Sequence, residues 1–304
     1  MAREIYLRLS AAALFVSLMT PCLSQATFQE CDGASQRLKD TPRPIKVIIA
    51  SVEFQDGDGL PEELHAQIKR DIAKQDFRVG PGTPDMDWVN ELDGAVLLDA
   101  LQKAGYFKAQ PYTTPYLIRA EAHRLQYAVR IDVESGPQYR VGKIEFADFT
   151  AFTEEDLWKQ VQLATGEVFD VGKIRDTLNS ILRLYQAKGY IDLTIEPQME
   201  IDDEKHQIAL VLKVSEEAQY RVGTVEILGV EEKMKKRLAA LLEPGEIFDA
   251  AALTRFMKEN ASLLPEGASL ERNLYVRRDT QDRMVDITVD VRPKVCSEGA
   301  TQDL

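Results

Sequence analysis

Tyr139-Arg140-Val141-Gly142-Lys143-Ile144-Glu145-Phe146 is matched 81 positions later by Tyr220-Arg221-Val222-Gly223-Thr224-Val225-Glu226-Ile227. A second pair, Gly166-Glu167-Val168-Phe169-Asp170 and Gly245-Glu246-Ile247-Phe248-Asp249, lies 79 positions apart. Two matches at nearly one offset mark a duplicated unit. A period of about 80 residues exceeds the roughly 20–50 residues of solenoid repeats, so the unit is a small domain in tandem.

Around these anchors the hydrophobic pattern reads as β-α-α-β-β. In the middle unit, Tyr139–Phe146 is predicted as a strand, and Thr153 with Asp156 opens a helix as a capping box. Asp170 caps a second helix with the stripe Val171, Ile174, Leu178, Ile181, Leu182 and Tyr185, ended by Gly189. Ile191, Leu193 and Ile195 alternate with Asp192 and Thr194 in a predicted strand, and Gln207–Val214 forms the last. The third unit gives a strand at Tyr220–Leu228 and a helix with Met234, Leu238 and Leu241. Its second helix carries Leu253, Phe256 and Met257, and strands follow at Leu270–Val276 and Met284–Val291.

The first unit has the same order without the repeated motifs. Ile45–Phe54 is a strand, Pro61 with Glu62 and Glu63 starts a helix, and Leu64, Ile68 and Ile72 form its stripe. Gly80 to Pro84 breaks it, and a second helix runs from about Met86 to Ala104 with Val89, Leu92, Val96 and Ala100 on one face. Tyr106–Tyr112 is a short strand and Arg124–Glu134 a clean alternating one. Val133 to Tyr139 and Val214 to Tyr220 are equally short links, which favours a rod with limited bending. Pro111 and Pro197 meet the second strand of two units, which makes that strand a candidate sheet edge.

At the N-terminus, Arg3 and Arg8 precede an apolar run from Leu9 to Met19, and Ser24 and Ala26 follow. This reads as a signal peptide over residues 1–26, cleaved near Ala26. The run is short of the roughly 20 residues a spanning helix needs. Cleavage at Cys22 as a lipoprotein is disfavoured by Pro21. The whole chain has a net charge of −13, and losing Arg3, Arg8 and Glu4 leaves −14. Such acidity disfavours nucleic-acid phosphates and anionic lipid headgroups. Cys31 and Cys296 would remain after export as a possible disulfide, with unpaired or interchain thiols the equal alternative.

No H-x-x-x-H, C-x-x-C, G-x-S-x-G or phosphate-loop pattern occurs, so no catalytic, cofactor-binding or metal-binding residue is predicted, and no small-molecule substrate. His65 and His206 read as solvated surface residues, and Trp88 and Trp158 as helix packing. Asp202-Asp203-Glu204 reads as a charged hairpin turn rather than a metal cluster.

A β-α-α-β-β unit near this length that begins Tyr-Arg-Val-Gly resembles a polypeptide-transport-associated (POTRA) domain. Gly166–Asp170 and Lys188-Gly189-Tyr190 fit that resemblance, and the first unit shares Lys103-Ala104-Gly105-Tyr106-Phe107. Such domains form the periplasmic arm of outer-membrane barrel assembly proteins such as the BAM barrel subunit. The resemblance implies an α+β fold of three tandem domains, each a three-stranded mixed sheet covered by two helices. The predicted boundaries are a leader at 27–44, domains at 45–137, 138–218 and 219–294, and a disordered tail at 295–304.

Two departures limit what is carried over. Only ten residues follow Lys294, so barrel insertase activity is not transferred. Pro265-Glu266-Gly267-Ala268 stands where the middle unit has Lys188-Gly189-Tyr190. The resemblance therefore implies a non-enzymatic periplasmic scaffold in outer-membrane protein assembly or secretion, peripheral to that membrane through a partner. Its partners would be polypeptide clients or barrel assembly components. Binding by strand addition at a sheet edge would place the site at Tyr190, Ile191, Asp192, Leu193, Thr194 and Ile195, with Phe107–Gln110 and Leu270–Tyr275 as further edges. Asp192, Pro197 and Pro111 are equally what a merely protected edge would carry. A structural cell-envelope or division-type interaction protein is the alternative, and a periplasmic hydrolase a third.

Overall fold

Strand β1 (Ile45–Phe54) pairs in parallel with β4 (Arg124–Glu134), from Lys46 opposite Arg124 to Phe54 opposite Ile131. This computed structural model describes residues 44–55, 57, 59–80, 86–121, 123–260 and 270–292. The segments read as signal peptide, leader up to residue 43 and tail, with Cys31 and Cys296, lie outside them, as does 265–268. The chain divides into two compact units. One comprises residues up to Glu145 with Val161–Asp176 and Gln198–Val211, the other Phe146–Gln160, Thr177–Pro197 and the chain from Leu212.

In the first unit, β3 (Gln110–Glu121) lies antiparallel to β4, and a two-residue β2 (Arg78–Val79) pairs antiparallel with β1. The sheet order is β2-β1-β4-β3, so this sheet has a fourth, short strand beyond the three expected. Helix α1 (Glu62–Ala73) buries Ile68 and Ile72 as its stripe requires. Helix α2 (Asp87–Glu91) passes through a π-helical segment, Leu92–Leu98, into α3 (Asp99–Lys103). The wider π turn moves the buried face on by one residue. Leu97 and Leu101 are therefore fully buried, while Ala100, expected on the stripe, only packs at its border. Trp88 lies under the sheet 5.0 Å from the Tyr127 ring and 6.0 Å from Phe77. Each such fully buried Leu or Ile contributes about 1.5–3 kcal/mol.

The second sheet has the order β5-β7-β6, from β5 (Arg140–Ala147), β7 (Gln207–Ser215) and β6 (Thr194–Asp202). Helix α4 (Glu154–Trp158) is capped by Thr153, which accepts from the Asp156 amide at 3.2 Å. Helix α5 (Val171–Gln186) is capped by Asp170, which accepts from the amides of Gly172 at 2.7 Å and Lys173 at 3.2 Å. Both caps are the ones the sequence announces.

The third sheet, order β8-β10-β9, belongs to the second unit and contains β8 (Arg221–Leu228), β10 (Met284–Asp290) and β9 (Leu274–Asp279). Helices α6 (Glu232–Leu241) and α7 (Ala250–Glu259) bury Met234, Leu238, Leu253 and Met257 against Val285, Ile287 and Val289. The chain at Leu270–Asn273, expected to be strand, forms a helical turn, α8, and β9 starts only at Leu274. β8 bulges against β10 between Val222 and Val225, and Gly223 sits in the bulge. A Cβ on Gly223 would lie 2.6 Å from an Asp286 carboxylate oxygen, which accepts the Thr224 amide at 2.7 Å. The glycine of the repeated motif thus makes room for the group that pins its own bulge.

Candidate functional site

The repeated motifs turn out to bind each other. The Val141 amide donates to the Glu167 carbonyl at 2.7 Å, the Gly166 amide to Val141 at 2.7 Å, and the Phe169 amide to Tyr139 at 2.9 Å. The same three bonds recur as Val222 to Glu246 at 2.8 Å, Gly245 to Val222 at 2.7 Å and Phe248 to Tyr220 at 3.0 Å. The Arg140 and Arg221 guanidinium groups donate to the Gly166 and Gly245 carbonyls at 2.9 and 2.8 Å. The two halves of the motif are a single zipped element, which is why they recur together. Their conservation within the chain reports architecture, not a site.

The six residues predicted as the binding edge divide in two. Thr194 and Ile195 belong to β6, an outer strand of its sheet. Tyr190–Leu193 precede it in a turn, with Ile191 and Leu193 buried. Asp192 accepts from the Tyr220 hydroxyl at 2.8 Å and pairs with Arg278 at 2.8 Å. The alternation that looked like a strand is therefore two apolar anchors either side of a committed carboxylate. Phe107 and Lys108 likewise lie in a turn, and within Phe107–Gln110 only Gln110 is strand. Of Leu270–Tyr275, only Leu274 and Tyr275 are strand.

Each sheet has two outer strands, β2, β5 and β8 on one side and β3, β6 and β9 on the other, and the solvent-facing residues of the latter three differ. β6 presents Thr194, Glu196, Gln198 and Glu200. β9 presents Tyr275 and Arg277, with Arg277 paired to Asp286 at 2.5 Å. β3 is the longest at 12 residues and leaves Tyr112, Tyr116, Leu117 and Ile118 between 50% and 56% exposed. The sequence predicts this strand only over Tyr106–Tyr112, and Tyr116-Leu117-Ile118 beyond it does not alternate. A register irregularity between Leu117 and Arg119 accounts for that, since Ile118 is an extra residue in the ladder.

Along β3 the backbone groups alternate between β4 and the outside. The Thr113 amide donates to Asp93 at 3.3 Å, so Thr113 is an outward position, and its hydroxyl donates to the same carboxylate at 2.5 Å. Pro111 and Pro115, two residues either side, fall on the same outward phase and carry no N–H. The first half of the edge is closed at three successive outward positions. Asp93 reaches it from the π-helical segment, and partial burial raises its carboxyl above the ordinary range despite the two bonds from Thr113. From Tyr116 to Glu121 no such guard stands among the described residues.

Elsewhere the sequence reading holds in part. Asp202 accepts from the Glu204 and Lys205 amides at 3.1 and 2.9 Å, as a hairpin turn does. His206 is exposed, but His65 stacks on Phe54 with ring centroids 4.2 Å apart instead of standing in solvent. Among the described residues no group of three or more His, Cys, Asp or Glu is placed to hold a metal ion. No described helix is long and apolar enough to cross a membrane.

Residues 139–217 match the family model POTRA, described as "Surface antigen variable number repeat". The crystal structure of BamA POTRA3-5 from Haemophilus influenzae superimposes with a TM-score of 0.61 at 17% identity, covering 83% of this chain and 98% of that one. BamA from Haemophilus ducreyi lacking POTRA domains 1-3 gives a TM-score of 0.38 at 18% identity, covering 60% of this chain and 32% of that one. POTRA1-3 of the periplasmic domain of Omp85 from Anabaena gives 0.32 at 16% identity, covering 83% of this chain and 96% of that one. Only the first of these bears on the fold. Residues 139–217 thus carry the POTRA family signature, and the chain as a whole shares the tandem α+β fold of BamA POTRA3-5.

Proposed function

We propose that this is a non-enzymatic periplasmic scaffold that binds extended polypeptide segments in outer-membrane protein assembly or secretion. The signal sequence at 1–26 would export it, and three domains, at 45–137, 138–218 and 219–294, would form the working part. The observation that carries the reading is the outer edge of β3 from Tyr116 to Glu121, where exposed Leu117 and Ile118 flank backbone groups with no neighbouring strand among the described residues. An extended client segment pairs with such an edge through main-chain bonds, and its apolar side chains pack on those of the strand. The closed half, Pro111 to Pro115, sets where pairing stops. The acidic face of β6, with Glu196 and Glu200, makes that edge the poorer partner for an apolar segment.

The test is an in-cell photocrosslink from Ile118, with Gln198 on β6 as comparator and the captured proteins identified by mass spectrometry. Outer-membrane barrel proteins or their assembly machinery captured at Ile118, and not at Gln198, support the reading. Capture at Gln198 alone moves the site to β6. No capture at either position, with the purified chain failing to bind unfolded barrel segments, overturns it.

A further inference from the structure

Two places in the chain join one sheet to the next stretch by the same backbone device. The Tyr139 amide donates to the Gly105 carbonyl at 2.8 Å, and the Tyr220 amide to the Gly189 carbonyl at 2.9 Å. The Gln138 side chain donates to the Ala104 carbonyl at 2.8 Å, and Gln219 to Lys188 at 2.8 Å. Both links turn through a left-handed residue, Gly136 at φ 62° and Glu217 at φ 54°. Each joint lies within one compact unit.

The backbone is copied, but the charge is inverted. Three residues after Gly105 stands Lys108, whose ammonium meets the Asp203 carboxylate at 2.6 and 2.8 Å. Three residues after Gly189 stands Asp192, which meets the Arg278 guanidinium at 2.8 Å. In the first joint the cation comes from the preceding segment and the carboxylate from the turn after β6. In the second, the carboxylate comes from the preceding segment and the cation from β9. In both, the motif tyrosine donates to whichever carboxylate is there: Tyr139 to Asp203 at 2.5 Å, Tyr220 to Asp192 at 2.8 Å. The hydroxyl serves either arrangement, so polarity is free to differ while the rest is fixed.

We propose that the two joints carry opposite electrostatic keys that make them non-interchangeable, so that each preceding segment accepts only its own successor. A backbone joint alone would accept any repeat, since its bonds are main-chain and its glutamine is common to both. A tandem protein built from near-copies faces mispairing between its own repeats. With reversed keys, docking the third repeat where the second belongs would set Lys108 against Arg278, and docking the second repeat of another copy where the third belongs would set Asp192 against Asp203. Like-charge contact penalises each wrong order, while the shared tyrosine supports each right one. The second joint's pair is the less exposed, with side chains 30% and 26% accessible against 42% and 64%, and is the stronger key.

The test is residue-resolved amide hydrogen exchange on the full chain, reading the Tyr139 and Tyr220 amides with those of Val129 and Val289 as core controls. Lys108→Asp should speed exchange at Tyr139 roughly fivefold and leave Tyr220 unmoved. Asp192→Lys should act on Tyr220 alone, by at least as much. The double reversals, Lys108→Asp with Asp203→Lys and Asp192→Lys with Arg278→Asp, should restore protection to within about twofold, because the key is polarity and not residue identity. Single reversals without effect would overturn the proposal, as would double reversals that fail to restore protection while the core controls stay protected. If a single reversal also exposes the core controls, recovery in the double still decides the matter.

Discussion

The joints repeat nearly atom for atom, whereas the outer strands repeat only in topology. At Gly105 and Gly189 the same amide, the same glutamine and the same tyrosine recur. At β3, β6 and β9 the lengths are 12, 9 and 6 residues, and the exposed faces are aromatic and aliphatic, acidic, and tyrosine with arginine. Duplication with retention marks what any copy needs in order to stack. Duplication followed by divergence marks what each copy does separately. On that comparison the internal repeat is set aside as architecture, and the unrepeated β3 hairpin is where we propose the binding site.

The sharpest way to break the retained part is Gly189→Ala. Gly189 sits at φ 79°, and a Cβ there would be 2.5 Å from the Tyr220 carbonyl oxygen, so backbone must move. Left-handed strain and the clash together should cost about 2–3 kcal/mol, seen as a lower urea midpoint for the second unit. Gly105→Ala should cost less, about 1–2 kcal/mol, since the nearest atom is a Val168 methyl at 2.6 Å and the Tyr139 carbonyl stands off at 3.1 Å. Equal losses at the two glycines would show that the joints differ less than their geometry says.

The divergent part should respond in the opposite manner. Ile118→Asp should leave the melting midpoint within about 0.5 kcal/mol of the parent, because Ile118 is 56% exposed. It should weaken binding of an extended apolar segment by about tenfold in a fluorescence-polarisation titration, through loss of apolar contact and a charge at the edge. Glu200→Gln on β6 should change neither quantity. A binding loss at Glu200 equal to that at Ile118 would remove the distinction between the edges.

Smaller effects come from pH. Asp286, bonded by the Thr224 amide and Arg277, is held down to about 2 from 3.8. A carboxyl lowered in the folded state stabilises above its ordinary value, so the third sheet should lose this contribution as pH falls from about 4 through 2. Asp286→Asn should flatten that part of the acid titration of the second unit. Tyr220 is pushed up to about 12 by burial and the Asp192 carboxylate. A raised tyrosine favours the folded state below its ordinary value near 10, and that stability should drain away between pH 10 and 12. Tyr220→Phe should remove the alkaline step while leaving the acid one.

The sequence made the joints legible and the edges almost illegible, for a physical reason in each case. Tyr139, Gly166, Asp170 and Gly189 serve local geometry, such as caps, positive φ and short-range pairing, and local geometry leaves a residue signature. Thr153 and Asp170 cap where their residue types said they would. The outer part of β3 has no such signature, because Pro115 and the run Tyr116-Leu117-Ile118 break the period of two that defines a strand. The π-helical segment cannot be read from Leu92 to Leu98, since one extra residue per turn shifts a stripe by less than the tolerance of the pattern. Asp93 is a guard only because that shift and β3 bring it to Thr113, which are 20 positions apart in sequence. At Tyr190–Leu193 the period of two was present and misleading, produced by anchors in a turn.

Trp88 and Trp158 are the chain's two tryptophans, and one falls in each compact unit. The first is 1% exposed, its ring among Phe77 and Tyr127 and its indole nitrogen without a hydrogen-bond partner among the described residues. The second is 39% exposed and donates to Glu154 at 3.2 Å. Their emission should therefore differ in colour, blue-shifted from the dry indole and red-shifted from the wet one. The protein carries a separate intrinsic fluorophore for each half, and a spectrum followed through denaturation will resolve whether the halves melt as one body or in sequence.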